Sequence, residues 1–230
     1  MSAIDAIGDS FIREGFVSFD LACYLPGLDE ATRGLDAVDE DVWSFIIKNH
    51  LGEFELPISG LDESRRLHQL AEDDLRSGSF SFSFRRLGDN VANDRISSFH
   101  NIKKMLSSAR MFDLLQQVTK RRPIELLQFY ISRFDRGHFL YTHRDPGQSF
   151  GIAVNLTRRW DPNHGGLTVI LDEDSQSVRA CLLPTPYQVL VFDTSARSIP
   201  HFVSMVTSSP PWPRLAAVAR YDAHPLPCTG

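Results

Sequence analysis

The second half of the chain sets the tightest limit on its fold. From Ile124 onward come eight short runs with strand character: IELLQFYISRF, HFLYTH, FGIAVNLT, GLTVIL, VRACLL, YQVLVFD, HFVSMV and RLAAVARY. Gly137, Pro146, Gly147, Gly165, Gly166, Pro184 and Pro186 stand at the breaks. Short runs rich in β-branched and aromatic residues, bounded by turn formers, read as strands. Eight antiparallel strands of this length predict a double-sheet jelly roll, and its open mouth is a natural seat for a metal and a small ligand.

The first half has a different texture. Residues 4–14 form a short amphipathic helical pattern, and EGFVSFD is a strand with Gly15 at the break. LPGLDEATRGL supplies turns, while VWSFIIKNHL is a buried helix or a strand that periodicity does not separate. In LDESRRLHQLAEDDL, Leu61, Leu67, Leu70, Ala71 and Leu75 make one helical stripe, with Ser59 and Asp62 as a capping pair. Residues 78–98 alternate Ser and Phe and then turn to Gly and Asn, which predicts a strand followed by a long loop. That loop is either a substrate lid or an ordinary solvated connection. Phe99, Ile102, Leu106, Ala109, Phe112, Leu115 and Val118 recur at steps of three and four, predicting one long helix ended by Pro123.

The expected fold class is therefore mainly β with an N-terminal helical layer: a cupin-like double-stranded β-helix within a single domain over 1–230. Residues 1–123 would form the helical support and lid, 124–222 the jelly-roll core, and 223–230 a fraying tail. At 230 residues, with 42% hydrophobic and 23% charged residues, the chain can fill one substantial core. Its formal charge of −5 gives no broad attraction for nucleic acid or anionic membrane. Cys23, Cys181 and Cys228 have no CxxC spacing and are odd in number, so neither a disulfide framework nor a zinc cluster is expected. With no signal-like or membrane-spanning apolar run, the expected location is cytoplasmic.

Candidate chemistry sits inside the β half. His143 and Asp145 lie two apart on a predicted strand, so their side chains share a face. His201, at the start of a later strand, supplies a third group. Two histidines and a carboxylate on one face of a metal leave its other positions open, which suits Fe(II). The pair alone is weak, since eight histidines and 29 acidic residues yield about one His-x-acid match by chance. The competing reading is a surface His–Asp pair with a satisfied core histidine at 201. His50, His68, His100, His164 and His224 have no comparable pattern.

Several linked features carry a family resemblance. FDRGHFLYTHRD at 134–145, NLTRRWD followed by Gly165-Gly166, and PHFVSMV at 200–206 with Arg214 beyond occur in that order. The arrangement resembles the prolyl-4-hydroxylase-like branch of the Fe(II)/2-oxoglutarate-dependent oxygenases, from Tyr130 to Tyr221. The resemblance implies Fe(II) on His143, Asp145 and His201, with 2-oxoglutarate as cosubstrate and O2 as oxidant. It also implies Arg214 on the distal carboxylate of 2-oxoglutarate, with Asn155 as a further donor to that carboxylate. Three positions depart from the family pattern: Phe134 replaces a tyrosine, Ala216 replaces a serine or threonine, and the spacing from His201 to Arg214 is longer. Arg220, an even number of residues from Arg214, is the alternative anchor.

The implied reaction is hydroxylation of an unactivated C–H bond of a small molecule or amino acid, with succinate and CO2 formed; a peptidyl substrate is the alternative. Arg85, Arg86 and Arg95 are candidates for a substrate carboxylate, Phe80, Phe82 and Phe84 for an apolar wall, and Tyr130 and Tyr141 for further substrate contacts. Rivals from other classes are a non-catalytic jelly-roll binding module and a cupin-type metalloenzyme that does not use 2-oxoglutarate.

Overall fold

Every one of the eight expected strands forms, and they join four more in one curled antiparallel sheet. The computed structural model describes residues 2–145, 147, 149–195 and 197–225. The helices are α1 (Ala3–Glu14), α2 (Leu28–Ala31), α3 (Leu61–Arg76), α4 (Ser97–Leu106) and α5 (Ala109–Thr119). The first four strands are β1 (Phe16–Asp20), β2 (Ser44–Asn49), β3 (Gly52–Pro57) and β4 (Phe82–Gly88). The expected eight are β5 (Arg121–Phe134), β6 (Phe139–His143), β7 (Phe150–Asn155), β8 (Thr168–Leu171), β9 (Val178–Leu182), β10 (Gln188–Asp193), β11 (His201–Val203) and β12 (Arg214–Pro225).

Hydrogen bonding runs in the order β1-β10-β7-β12-β5-β4-β6-β11-β8-β9, with β2 and β3 branching from β4. The β5–β6 corner at Asp135–His138 turns the sheet over, so β6, β11 and β8 face β5, β12, β7 and β10 across a cavity. Strand β12 shows how one sequence serves both faces. Leu215, Ala217, Ala219 and Tyr221 enter the core beneath the helices, while Arg214, Ala216, Val218 and Arg220 line the cavity. Alternation of side chains along an extended strand produces this division.

The core between helices and sheet is large and apolar. Phe11, Phe99, Ile102, Leu106, Met111 and Leu115 pack on the odd face of β12 and on β5, β7 and β10. Tyr221 is fully buried there, stacked on Phe150 with ring centroids 5.3 Å apart. Its hydroxyl donates to Leu106 O at 2.9 Å, which satisfies the one polar atom it buries. A side chain of this size, buried completely, contributes on the order of 2 kcal/mol through area alone. A second cluster seats Leu67 and Ala71 of α3 against Phe45, Ile47 and Phe139.

One open reading is resolved and three expectations are corrected. The VWSFIIKNHL segment is a strand, and β3 pairs with it in a hairpin. The long helix is two helices, because Ser108 is extended and its Oγ accepts from Met111 N at 3.2 Å, capping α5. Pro123 is not the terminator: α5 ends on Lys120 in the left-handed region, and Pro123 lies in β5 beside a bulge opposite Ala223. Helix α3 starts at Gly60 with no side-chain cap, so Ser59 and Asp62 do not act as its capping pair. Pro146 and Cys228 lie outside the described residues, while Cys23 and Cys181 are exposed free thiols. Among the described residues no helix is long and apolar enough to cross a membrane.

Candidate metal and cosubstrate site

His143 ends β6, His201 begins β11, and the two are register partners. This pairing explains how ligands far apart in sequence meet: antiparallel neighbours bring the end of one strand to the start of the next. Asp145 follows two residues later. One ligand atom from each of the three lies within 4.8 Å of the others. His143 Nε2 is 3.5 Å from Asp145 Oδ1, and His201 Nε2 is 3.6 Å from Asp145 Oδ2.

The imidazoles are held by their far sides. His143 Nδ1 lies 3.0 Å from Tyr141 O, and His201 Nδ1 lies 3.0 Å from Ile199 O. A backbone carbonyl only accepts, so it sets each Nδ1 as the donor and leaves Nε2 with a lone pair toward the shared space. Aromatic contacts fix the ring planes, with His201 4.9 Å from the Phe192 ring and Phe80 6.3 Å from His143. Burial, together with the neighbouring His143, pushes the His201 imidazole down to about 4, so it is neutral near pH 7 and able to bind a metal.

Asp145 is also ready to ligate. Burial by itself would raise its carboxyl, but the hydrogen bond with His143 and the charge of Arg220 outweigh that effect and hold it well below the usual carboxylate range. Arg220 Nη1 donates to Asp145 Oδ2 at 2.6 Å, and both groups are buried. A three-residue donor set of two imidazoles and one ionised carboxylate fits a divalent metal with open positions.

Arg214 lines the same cavity and has a different environment. It is 3% exposed, its Nε donates to Gly166 O at 2.6 Å, and its Nη2 donates to Thr168 Oγ1 at 2.9 Å. The guanidinium lies over the Phe134 ring at 4.8 Å. Among the described residues no carboxylate pairs with it, and burial pulls it down to about 10, which still leaves it charged. A buried cation with only neutral neighbours is costly, and an incoming carboxylate would relieve it. Gly166 is required for this fit: at φ +65 a Cβ there would meet Arg214 Cδ at 2.9 Å.

A cavity of about 70 Å³ lies between the three-ligand cluster and Arg214. Its walls are mostly apolar, with Phe84, Tyr130, Leu140, Leu190, Val203 and Val218 among them. Phe84 stacks on Phe134 at 5.3 Å, Phe82 follows at 5.7 Å and Phe80 at 5.8 Å from Phe82. The alternating Ser–Phe stretch gives the cavity one wall residue, Phe84, while Phe82 and Phe80 extend the aromatic row beyond the lining. It is no lid, because β4 is bonded into the sheet through β2, β5 and β6.

Other candidate residues fall elsewhere. Arg85 faces away from the cavity, paired with Glu40 at 2.5 Å and over the Phe45 ring at 5.0 Å, because it alternates with Phe84. Arg86 pairs with Glu55 at 2.6 Å and lines a separate polar pocket that meets the cavity only at Tyr130. Tyr141 donates to Gly78 O at 3.0 Å and does not line the cavity. Asn155 also lies outside the lining, with Nδ2 toward Gln188 O at 3.4 Å and Oδ1 without a partner. Tyr130 does line it, and burial raises its phenol, so it stays protonated. Thr168 and Phe192 carried no sequence signal. Arg220 carried one, its even spacing from Arg214.

No protein-family model matches the chain, and no curated protein matches its sequence. Solved structures do. A Pseudomonas putida prolyl-4-hydroxylase is similar over 96% of this chain and 99% of its own, at 14% identity and a TM-score of 0.58. A 2OG-Fe(II) oxygenase family oxidoreductase from Burkholderia pseudomallei gives 15% identity and a TM-score of 0.62, covering 97% and 94% of the two chains. The non-heme alpha ketoglutarate dependent epimerase SnoN from nogalamycin biosynthesis gives 14% identity and a TM-score of 0.56 over 99% and 91%. At these identities the shared property is the fold, the jelly roll expected from the strand count.

Proposed function

We propose that the protein is an Fe(II)- and 2-oxoglutarate-dependent dioxygenase that hydroxylates a C–H bond. The observation that carries this reading is the pairing, within one cavity, of a three-ligand cluster at His143, Asp145 and His201 with the buried guanidinium of Arg214, which no carboxylate pairs among the described residues. A metalloenzyme that did not use a dicarboxylate would leave Arg214 without purpose. A pure binding module would need no such cluster. The solved structures with this fold include enzymes described as 2-oxoglutarate- and iron-dependent, in keeping with the same reading.

In this reading the metal would be held by His143 Nε2, His201 Nε2 and one oxygen of Asp145. When bound, Fe(II) with 2-oxoglutarate and O2 supplies a C–H hydroxylation in which one oxygen atom enters the product and the other enters succinate, with CO2 released. The protein's own residues do the rest. Arg214 receives the distal carboxylate as a planar, always-charged fork. Tyr141 O and Ile199 O keep the two imidazoles in the metal-binding tautomer. The Phe84–Phe134 wall, with Leu190 and Val203, excludes water from the reacting space.

The test is an anaerobic titration of metal-free protein with Fe(II) and then 2-oxoglutarate, following the weak visible band of a chelated keto acid. The band should appear in the native protein and be absent in His143→Ala. Iron binding without the band would point to an enzyme that does not use 2-oxoglutarate, and absence of iron binding would leave a fold without its chemistry.

A further inference from the structure

We infer that the loaded cavity selects a substrate bearing one free carboxylate, received by Arg220; this rests on the 2-oxoglutarate reading above. The inference starts from charge. Among the cavity-lining residues the permanently charged groups are Arg214, Arg220 and Asp145, two cations and one anion. Metal-bound imidazoles are neutral. A divalent metal and a dianionic cosubstrate cancel each other, so one positive charge remains unanswered inside a cavity of mainly apolar walls. Buried charge without a partner is unfavourable, and a monoanionic substrate would remove the deficit.

Position assigns the deficit to the Arg220 end. Arg214 lies at the Phe134–Thr168–Gly166 end of the cavity, with its Nε and Nη2 engaged. Arg220 lies beside the metal ligands, over the Phe192 ring at 5.8 Å. A guanidinium has five N–H donors; those of Arg220 engage Asp145 Oδ2 at 2.6 Å and the Tyr130 hydroxyl, which leaves further N–H groups for a ligand. Once Asp145 shares its charge with a metal, its hold on Arg220 weakens, and the remaining donors suit a carboxylate. Gly151, the register partner of Arg220 on the neighbouring strand, makes room for this guanidinium: a Cβ there would come within 3.0 Å of Nη1.

A residue in the interior of a peptide brings no charge to this place, whereas a small monocarboxylic acid brings one negative charge; a free amino acid, a zwitterion, does so only where its ammonium stays outside the cavity. Within the same oxygenase reading, the count therefore favours the free acid over the peptidyl substrate. Arg85 and Arg86, two of the three arginines first expected to meet a substrate carboxylate, are already paired with Glu40 and Glu55.

The experiment uses full-length protein loaded with Mn(II), which does not support turnover, and 2-oxoglutarate. Its melting temperature is followed with the twenty free amino acids and a series of simple aliphatic and aromatic monocarboxylic acids. The matching carboxamides and N-acetylproline amide, a neutral peptide mimic, are run in parallel. At least one acid should raise the melting temperature and bind at least tenfold more tightly than its amide. Arg220→Gln, which keeps a donor to Asp145, should lose that preference, and Arg220→Lys should keep it. Equal binding of acid and amide, a preference for the neutral mimic, or no response to any acid would overturn the inference while leaving the oxygenase reading standing. If 2-oxoglutarate itself fails to stabilise the Mn(II) protein, both fall together.

Discussion

Gly151 and Arg220 face each other across the β7–β12 ladder, and the guanidinium occupies the space a side chain at 151 would need. A Cβ at 151 would lie 2.8 Å from Phe192 Cζ and 3.0 Å from Arg220 Nη1. Both neighbours serve the metal site, Phe192 by packing on His201 and Arg220 by holding Asp145. Gly151→Ala should therefore cost about 1–3 kcal/mol, as overpacking does. It should also weaken Mn(II) binding, measured by electron paramagnetic resonance of the free ion. A variant with unchanged melting and unchanged metal affinity would show that the close approach is not confining.

The two arginines of β12 should respond to removal to very different degrees. Arg220→Met strands the buried Asp145 carboxylate and should cost about 3–5 kcal/mol in the metal-free protein. Arg214→Met removes a cation that has no anionic partner, and its losses are two hydrogen bonds to neutral acceptors. That change should cost no more than about 1 kcal/mol, since relief of the unpaired charge offsets the lost bonds. Urea unfolding of both variants measures the contrast. Arg214→Met should meanwhile abolish stabilisation by 2-oxoglutarate, and a costly Arg214→Met would mean that the residue is mainly a structural tie.

How far the sequence could be read depended on where the information lay. Strand identity in the second half was legible because turn residues bracket runs that are mostly short and rich in β-branched and aromatic residues. The ligand triad was legible as residue types, yet only the β6–β11 register brings His143 and His201 together. Direction was the harder question. Arg85 and Arg86 are adjacent, and only the pairing of β4 shows that one alternates with Phe84 while the other runs on past the cavity. The helix break at Ser107–Ser108 was hidden because the apolar steps of three and four continue across it. Hydrophobic spacing reports a shared face, and two successive helices on one sheet can present the same face.

Ser108 tests that reading. Its Oγ accepts from Met111 N and its backbone is extended, so it ends one helical path and begins the next. Ser108→Ala should destabilise the protein by about 1 kcal/mol, the usual loss of an N-cap. Ser108→Asp should restore most of it, since a carboxylate caps equally well and favours the helix N-terminus. Thermal melts of the pair decide between a cap and a mere surface serine: equal stability of all three proteins would exclude the cap.

The last prediction concerns acid. His138 is 7% exposed, and its Nδ1 accepts from Asp135 N at 3.0 Å, so the ring is held neutral at the β5–β6 corner. Burial pushes it down to about 4 from 6.5, against the opposing pull of the Asp135 charge. Glu72 of α3 lies on the far side of His68, whose ring sits 5.9 Å from His138, and Arg85 adds a further cation nearby. A histidine whose folded value is depressed leaves stability untouched above pH 6.5. Between pH 6.5 and about 4 the unfolded chain takes up the proton and the folded chain does not, so stability falls as pH falls. The full difference is about 3 kcal/mol, reached below pH 4. In His138→Asn the amide oxygen can still accept from Asp135 N but cannot be protonated. Denaturant unfolding from pH 7 to pH 4.5 should therefore show a shallower decline in this variant than in the native protein. Parallel declines would place the acid sensitivity in another group.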